Sequence, residues 1–166
     1  MPEKKTLELA KKDKREGKSP STQAGEFVRE EMDHVREGKH GARSPKQAIA
    51  IGLSKARRAG VKLAPPKEGK TSERTRKQAA RDSAKGSSGT RQAPSRKRSR
   101  ATSSALKREG HSAASHAALS RQARESAQSR GPANRSQAAR KAARTKGAAG
   151  RKRAAEKAAR TRARRA

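Results

Sequence analysis

Past Leu63 the chain carries only two bulky apolar side chains, Leu106 and Leu119, in more than a hundred residues. An interior needs such side chains in quantity. Burying one contributes about 1.5–3 kcal/mol, against an ordering cost of about 1–2 kcal/mol for every residue fixed. The residues that can supply a conventional core therefore lie before residue 64: Leu7, Leu9, Phe27, Val28, Met32, Val35, Ile49, Ile51, Leu53, Val61 and Leu63.

Charge divides the chain at the same place. Residues 1–66 hold sixteen Lys/Arg against nine Asp/Glu, and residues 67–166 hold thirty against six, so the net charges are +7 and +24 of a total of +31. Low hydrophobicity with high net charge disfavours compaction. The expected fold is mainly α, with a small helical module over 1–66 and a long basic tail over 67–166 that is disordered or only conditionally helical. A module that small, without disulfides, is marginal.

Within the module the helical signals are local and specific. Lys4–Glu16 reads as a short charged helix stopped by Gly17, although Leu7 and Leu9 stand two apart and make a poor stripe. Ser19 and Pro20 supply an N-cap and first residue for a second helix, with Ala24, Phe27, Val28, Met32 and Val35 on one face and Gly38 as its stop. Ser44-Pro45-Lys46-Gln47 has the capping-box spacing. It opens a third helix whose Ala48, Ile49, Gly52, Leu53 and Ala56 share a face, ending in Arg57 and Arg58 before Gly60. The second and third helices form an αα-hairpin, with Leu7, Val61 and Leu63 as lids. Capping also accounts for Ser19-Pro20 and Ser44-Pro45 better than a phosphorylation-site reading does.

A weak repeat accompanies this pattern. REGKSPSTQA from Arg15, REGKHGARSPKQA from Arg36 and KREGHSAASHAAL from Lys107 each place a Gly stop before a Ser start. Gly17, Gly38, Gly60, Gly86, Gly110 and Gly131 recur every 21 to 26 residues, which reads as short helices joined at hinges. Ala64-Pro65-Pro66 begins the linker, and beyond it AARKAART at 138–145 returns as AAEKAART at 154–161.

Chemistry is sparse. Gly17-Lys18-Ser19 and Gly69-Lys70-Thr71 resemble the end of a phosphate-binding loop, but Lys12 and Ala64 stand where that motif needs its first glycine. His34, His40, His111 and His116 lack the spacing of a metal or catalytic set and read as solvated histidines. Glu30, Glu31, Asp33 and Glu37 alternate with Arg29 and Arg36 and read as the wet face of the second helix. Zero Cys excludes disulfides and thiolate sites. No enzyme, metal or cofactor is expected.

A polycation calls for a polyanion. The residues expected to grip phosphates are Arg96, Lys97, Arg98, Arg100, Arg140, Lys141, Arg144, Arg151, Lys152, Arg153, Arg160, Arg162, Arg164 and Arg165, with Arg57 and Arg58 as a second tier on the module. With no Tyr or Trp and one Phe there are no base-stacking platforms. Recognition should then address backbone and shape, with DNA favoured over RNA. The alternatives are an RNA- or ribosome-associated protein, or an interaction module that self-associates through a Phe27/Ile49 face behind a solubilising tail. No small-molecule substrate is expected, and the charged N-terminus and the absence of a long apolar run argue against a membrane partner and for a cytoplasmic location, on the nucleoid if DNA is the partner.

STQAGEFVREEMDHV from Ser21, REGKHGARS from Arg36 and SPKQAIAIGLSKARRAGVKL from Ser44 resemble a family of small, basic bacterial proteins of unknown function. The KQAIAIGLSKARRAG core also recurs in some viral basic proteins, and some family members carry a plasmid-stabilisation label. The resemblance spans about residues 1–66 and implies no established activity. The tail is similar in composition to histone-H1-like tails of bacterial nucleoid proteins, although Glu109, Glu125 and Glu156 interrupt it.

Overall fold

The computed structural model describes residues 2–88 and 95–164. Among these, seven α-helices and one 3₁₀ turn follow in order: α1 Lys4–Arg15, α2 Pro20–Arg36, α3 Pro45–Arg58, α4 Glu73–Ser87, α5 Arg96–Lys107, the turn Ser112–Ala114, α6 His116–Ser129 and α7 Gly131–Ala163. They fall into two compact units, Met1–Gln122 and Ala123–Ala166.

The hairpin forms as its sequence dictates. Ser19 Oγ accepts from the Thr22 amide at 3.4 Å, Ser44 Oγ accepts from the Gln47 amide at 3.3 Å, and each cap is followed by a proline at the first helical position. Gln47 completes its box one residue early, since its Oε1 accepts from the Arg43 amide at 2.8 Å. At the other end of α2, Gly38 takes φ 74°, the Lys39 amide bonds the His34 carbonyl at 3.0 Å and the Gly38 amide bonds that of Val35 at 3.3 Å. That is a Schellman stop, which a left-handed glycine permits without strain. α1 and α3 end in the same way at Gly17 and Gly60.

Two apolar clusters form along the apolar face of α2, one around Phe27 towards its N-terminal end and one around Met32 and Val35 towards its C-terminal end. Phe27 packs with Ala10, Ala24, Ala56 and Val61, with Leu7, Leu53 and Leu63 closing over them as lids. Met32 and Val35 pack with Ala42, Ala48, Ala113 and Ala114, flanked by Val28, Ile49 and Leu119. The α2–α3 crossing is tight at Gly52, where a Cβ would stand 2.7 Å from the Val28 Cα and 2.9 Å from the Phe27 carbonyl oxygen. α1 joins through Thr6, Ala10 and Asp13, a small and polar face with little hydrophobic signature.

The structure corrects the expectation for residues beyond 66. No long disordered tail is present among the described residues; α4 to α7 are helical. The first compact unit runs from Met1 to Gln122. Two physical reasons explain the difference. Helix formation needs only local hydrogen bonds and good propensity, which Ala, Arg and Lys supply, so scarcity of core residues does not forbid it. Docking onto the module is achieved with backbone and polar groups in place of bulky side chains. Gly86 lets α4 approach so closely that a Cβ there would stand 2.0 Å from the Arg57 carbonyl oxygen. The α2–α3 loop pairs with the last turn of α5 and the segment after it, through the Gly41 amide to the Leu106 carbonyl at 2.9 Å and the Ala42 amide to that of Gly110 at 3.0 Å. Gly86 is thus inside a helix and Gly110 has no positive φ, so the glycine period marks helix stops only at Gly17, Gly38, Gly60 and Gly131.

α7 is two helical stretches divided at Gly147, whose φ 63° and ψ 178° are open essentially only to glycine. Arg151 Nη1 reaches back across this break to the Ala143 carbonyl at 2.8 Å, and Arg135 Nη1 reaches across Gly131 to the Ala127 carbonyl at 3.3 Å. An arginine four residues past each left-handed glycine thus caps the helix that the glycine ends.

Candidate functional site

The expected phosphate-gripping residues occupy three settings. On α5, Arg96, Lys97, Arg98 and Arg100 are exposed, and a shallow open groove further along that helix is lined by Ser99, Arg100, Ser103, Ser104, Lys107 and Arg108. Hydroxyls beside guanidinium and ammonium groups are what phosphate oxygens accept from. On α7, Arg140, Lys141, Arg144, Arg151, Lys152, Arg153, Arg160 and Arg162 are exposed, as is Arg164 just past its end. Arg165 lies outside the described residues. Arg153, Lys157, Arg160 and Arg164 follow one another at i, i+4, i+7 and i+11, which places them on one face, away from the Ala154/Ala155/Ala158/Ala159 stripe. Each helix belongs to its own compact unit.

The third setting is that of the second-tier candidates. Arg57 is buried, and its guanidinium is spent on the chain's own carbonyls, Nε to Leu63 and Nη2 to Ala64, both at 3.3 Å. Burial draws its pKa down, opposed in part by the Asp82 charge. Arg58 is half exposed, but its Nε bonds Asp82 Oδ1 at 2.7 Å. Asp82, itself 1% exposed, also accepts from Ser54 Oγ at 2.6 Å and Gln78 Nε2 at 3.0 Å. These arginines tie α3 to the Leu63–Ala64 segment and to α4. Of the pair expected on a self-association face, Phe27 is completely buried and Ile49 is partly buried.

Sequence reasoning missed a polar cluster on the module. Glu30 and Glu31, expected on a wet face, are buried at 6% and 1% exposure. Lys55 Nζ from α3 donates to Glu31 Oε1 and, at 3.2 Å, to Glu30 Oε1. The Glu3 amide donates to Glu30 Oε2 at 3.1 Å. Burial pushes the Glu30 carboxyl up, but the Thr6 hydroxyl, the Glu3 amide and the Lys55 charge outweigh it and hold the pKa below the ordinary value. His34 and His40, expected to be solvated, have side chains only 13% and 16% exposed and face one another edge-on at 5.8 Å between ring centroids. His34 Nε2 lies 2.9 Å from Glu3 Oε1, which Lys39 Nζ also contacts at 3.1 Å; these bonds hold Glu3 below its ordinary pKa. His34 Nδ1 is 3.7 Å from Glu31 Oε1, and His40 Nε2 is 3.4 Å from Glu31 Oε2. The only sequence signal was the one-turn spacing of Glu31 and His34. His40 joins them because the Gly38 stop turns the chain back, which spacing alone does not reveal.

Among the described residues no helix is long and apolar enough to cross a membrane. No curated protein and no solved structure matches the chain. A match does exist for the hairpin and its flanks, and it carries no activity or partner with it: residues 13–68 match DUF6496, a family of unknown function.

Proposed function

We propose that this protein is a non-enzymatic nucleic-acid-binding protein that neutralises phosphates through helical cationic faces, with duplex DNA favoured over RNA and little sequence preference. One observation carries the reading: α7 holds eleven Lys/Arg against the single Glu156 and has no apolar face that would give it another use. Repulsion on that scale is relieved by a polyanion whose charges recur every ~1.7 Å along its axis. The serine- and arginine-lined groove on α5 supports a second set of backbone contacts. The lack of Tyr and Trp supports shape and phosphate recognition over base stacking. Positioning on the nucleoid follows from this reading and stands or falls with it.

The test uses the full chain against two duplexes of unrelated sequence, a duplex RNA and a single strand, at several salt concentrations. The two DNA duplexes should bind within a few fold of each other and more tightly than RNA. Affinity should fall by roughly 10³–10⁵ between about 50 and 200 mM salt if six to ten phosphates are contacted. A flat salt response refutes the reading. A preference for RNA at every salt concentration transfers it to RNA.

A further inference from the structure

We propose that Glu31, His34 and His40 form a binding site for one divalent transition-metal ion of the Zn²⁺ class. The proposal is independent of nucleic-acid binding, because it rests on the α2 end of the module and not on α5 or α7. Glu31 and His34 stand one turn apart on α2, and the loop after Gly38 returns His40 to them. Their donor atoms all lie within 4.8 Å of one another. Two donors each about 2.1 Å from a tetrahedral ion stand about 3.4 Å apart. His40 Nε2 to Glu31 Oε2 is 3.4 Å and His34 Nδ1 to the carboxylate's other oxygen, Oε1, is 3.7 Å, so each ring stands near coordinating separation from one oxygen of Glu31.

The outer nitrogens of the two rings supply a second argument. His34 Nε2 faces Glu3 Oε1 at 2.9 Å, and a carboxylate only accepts, so in the neutral ring the proton sits on Nε2 and the lone pair on Nδ1. His40 Nδ1 faces the Gly41 carbonyl oxygen at 3.0 Å, again an acceptor, so the lone pair is on Nε2. Both lone pairs are then turned toward the Glu31 carboxylate. Acceptor faces acceptor in a largely buried place, an arrangement that a cation between them resolves. A ring nitrogen held by a carboxylate or a backbone carbonyl while the other points inward is also the usual outer shell of a metal-bound histidine. Lys55 satisfies Glu31 Oε1 together with Glu30, which leaves Oε2 turned to His40.

Two imidazoles and one carboxylate select a borderline metal such as Zn²⁺ over Mg²⁺, which favours an all-oxygen shell. Three protein ligands also leave a fourth position for water or a further donor. Bound there, the ion would fasten the end of α2 to the loop carrying His40.

The experiment takes full-length protein, freed of nucleic acid and stripped with a chelator, and titrates it at about pH 7.5. Zn²⁺ should bind at one equivalent and raise the melting temperature, with no response to Mg²⁺. Co²⁺ should give visible absorption of a site with nitrogen ligands. His34→Gln and His40→Gln should each weaken Zn²⁺ at least about tenfold and abolish the Co²⁺ bands. Glu3→Gln, in the outer shell, should weaken it about tenfold or more, and the exposed His116→Ala should bind as wild type. Circular dichroism checks that each variant is folded. Should His34→Gln unfold, the Co²⁺ spectrum of His40→Gln decides alone. Absence of one-equivalent Zn²⁺ binding, or binding that survives loss of His40, overturns the proposal, as does equal sensitivity to His116.

Discussion

Replacing Arg153, Lys157, Arg160 and Arg164 together with Gln removes the cations from one face of α7 while hardly changing helix propensity, since Arg, Lys and Gln rank alike. The four residues span eleven positions, about 16 Å of helix axis at 1.5 Å per residue. About five phosphates of one DNA strand lie along that length at 3.4 Å each, enough to give every cation a partner. If each does neutralise one phosphate, the variant's slope of log K against log salt should be shallower by about 3.6, at roughly 0.9 per contact. Between about 50 and 200 mM salt, wild type should then lose about 150-fold more affinity than the variant. Fluorescence anisotropy of a labelled duplex reads both slopes directly. A matched variant with Lys4, Lys5, Lys11 and Lys12 changed to Gln loses the same charge from exposed positions on α1. Its slope should change by less than about one. Equal slopes for wild type and the α7 variant refute the assignment of contacts to that face. An equal loss from the α1 variant shows that only total charge matters, and refutes it as well.

Other predictions concern the fold. Phe27→Ala should cost about 3–5 kcal/mol in urea unfolding, because the ring is wholly enclosed by α1, α3 and the Val61 lid. Gly52→Ala should destabilise by about 1–3 kcal/mol by prising α2 from α3, whereas Gly25→Ala, with nothing within 4 Å of the new methyl, should stabilise by about 0.4–1 kcal/mol. Asp82→Ala should cost about 1–3 kcal/mol, since it strands the Ser54 hydroxyl and one end of Arg58, and should strip hydrogen-exchange protection from α4 while sparing α2. Unchanged protection of α4 would show that Gly86 packing alone holds it.

What could be read in the sequence was whatever is encoded within one helical turn. Ser19, Ser44, Gly17, Gly38 and Gly60 announce helix ends through caps and stops that need no tertiary partner, and the Phe27 face follows from a single periodicity. What escaped was long-range and polar. Glu30 and Glu31 carry charge, so periodicity assigns them to solvent; their burial depends on Lys55, 24 and 25 residues away, and on Glu3. Asp82 draws α4 inward through Arg58 and Ser54 in the same way, with alanines and a glycine filling the space that leucines would elsewhere. Arg57 and Arg58 looked like free cations because nothing in their neighbourhood in sequence shows the carbonyls and the carboxylate that receive them. The helicity of the basic half was misjudged for a different reason: the lack of core residues bears on tertiary packing, whereas Ala-rich segments satisfy their backbone locally.

The glycine breaks of the C-terminal unit give it a unit of length. Ala127, Gly131 and Arg135 are matched sixteen positions later by Ala143, Gly147 and Arg151, with the same cap across the same kind of turn. The segments 131–146 and 147–162 each carry a net charge of +5. Because each segment opens on its own glycine and carries the arginine that caps the helix before it, a chain with one more or one fewer would leave every remaining cap intact. Reach and charge can therefore be changed together, in fixed increments, by inserting or deleting sixteen residues.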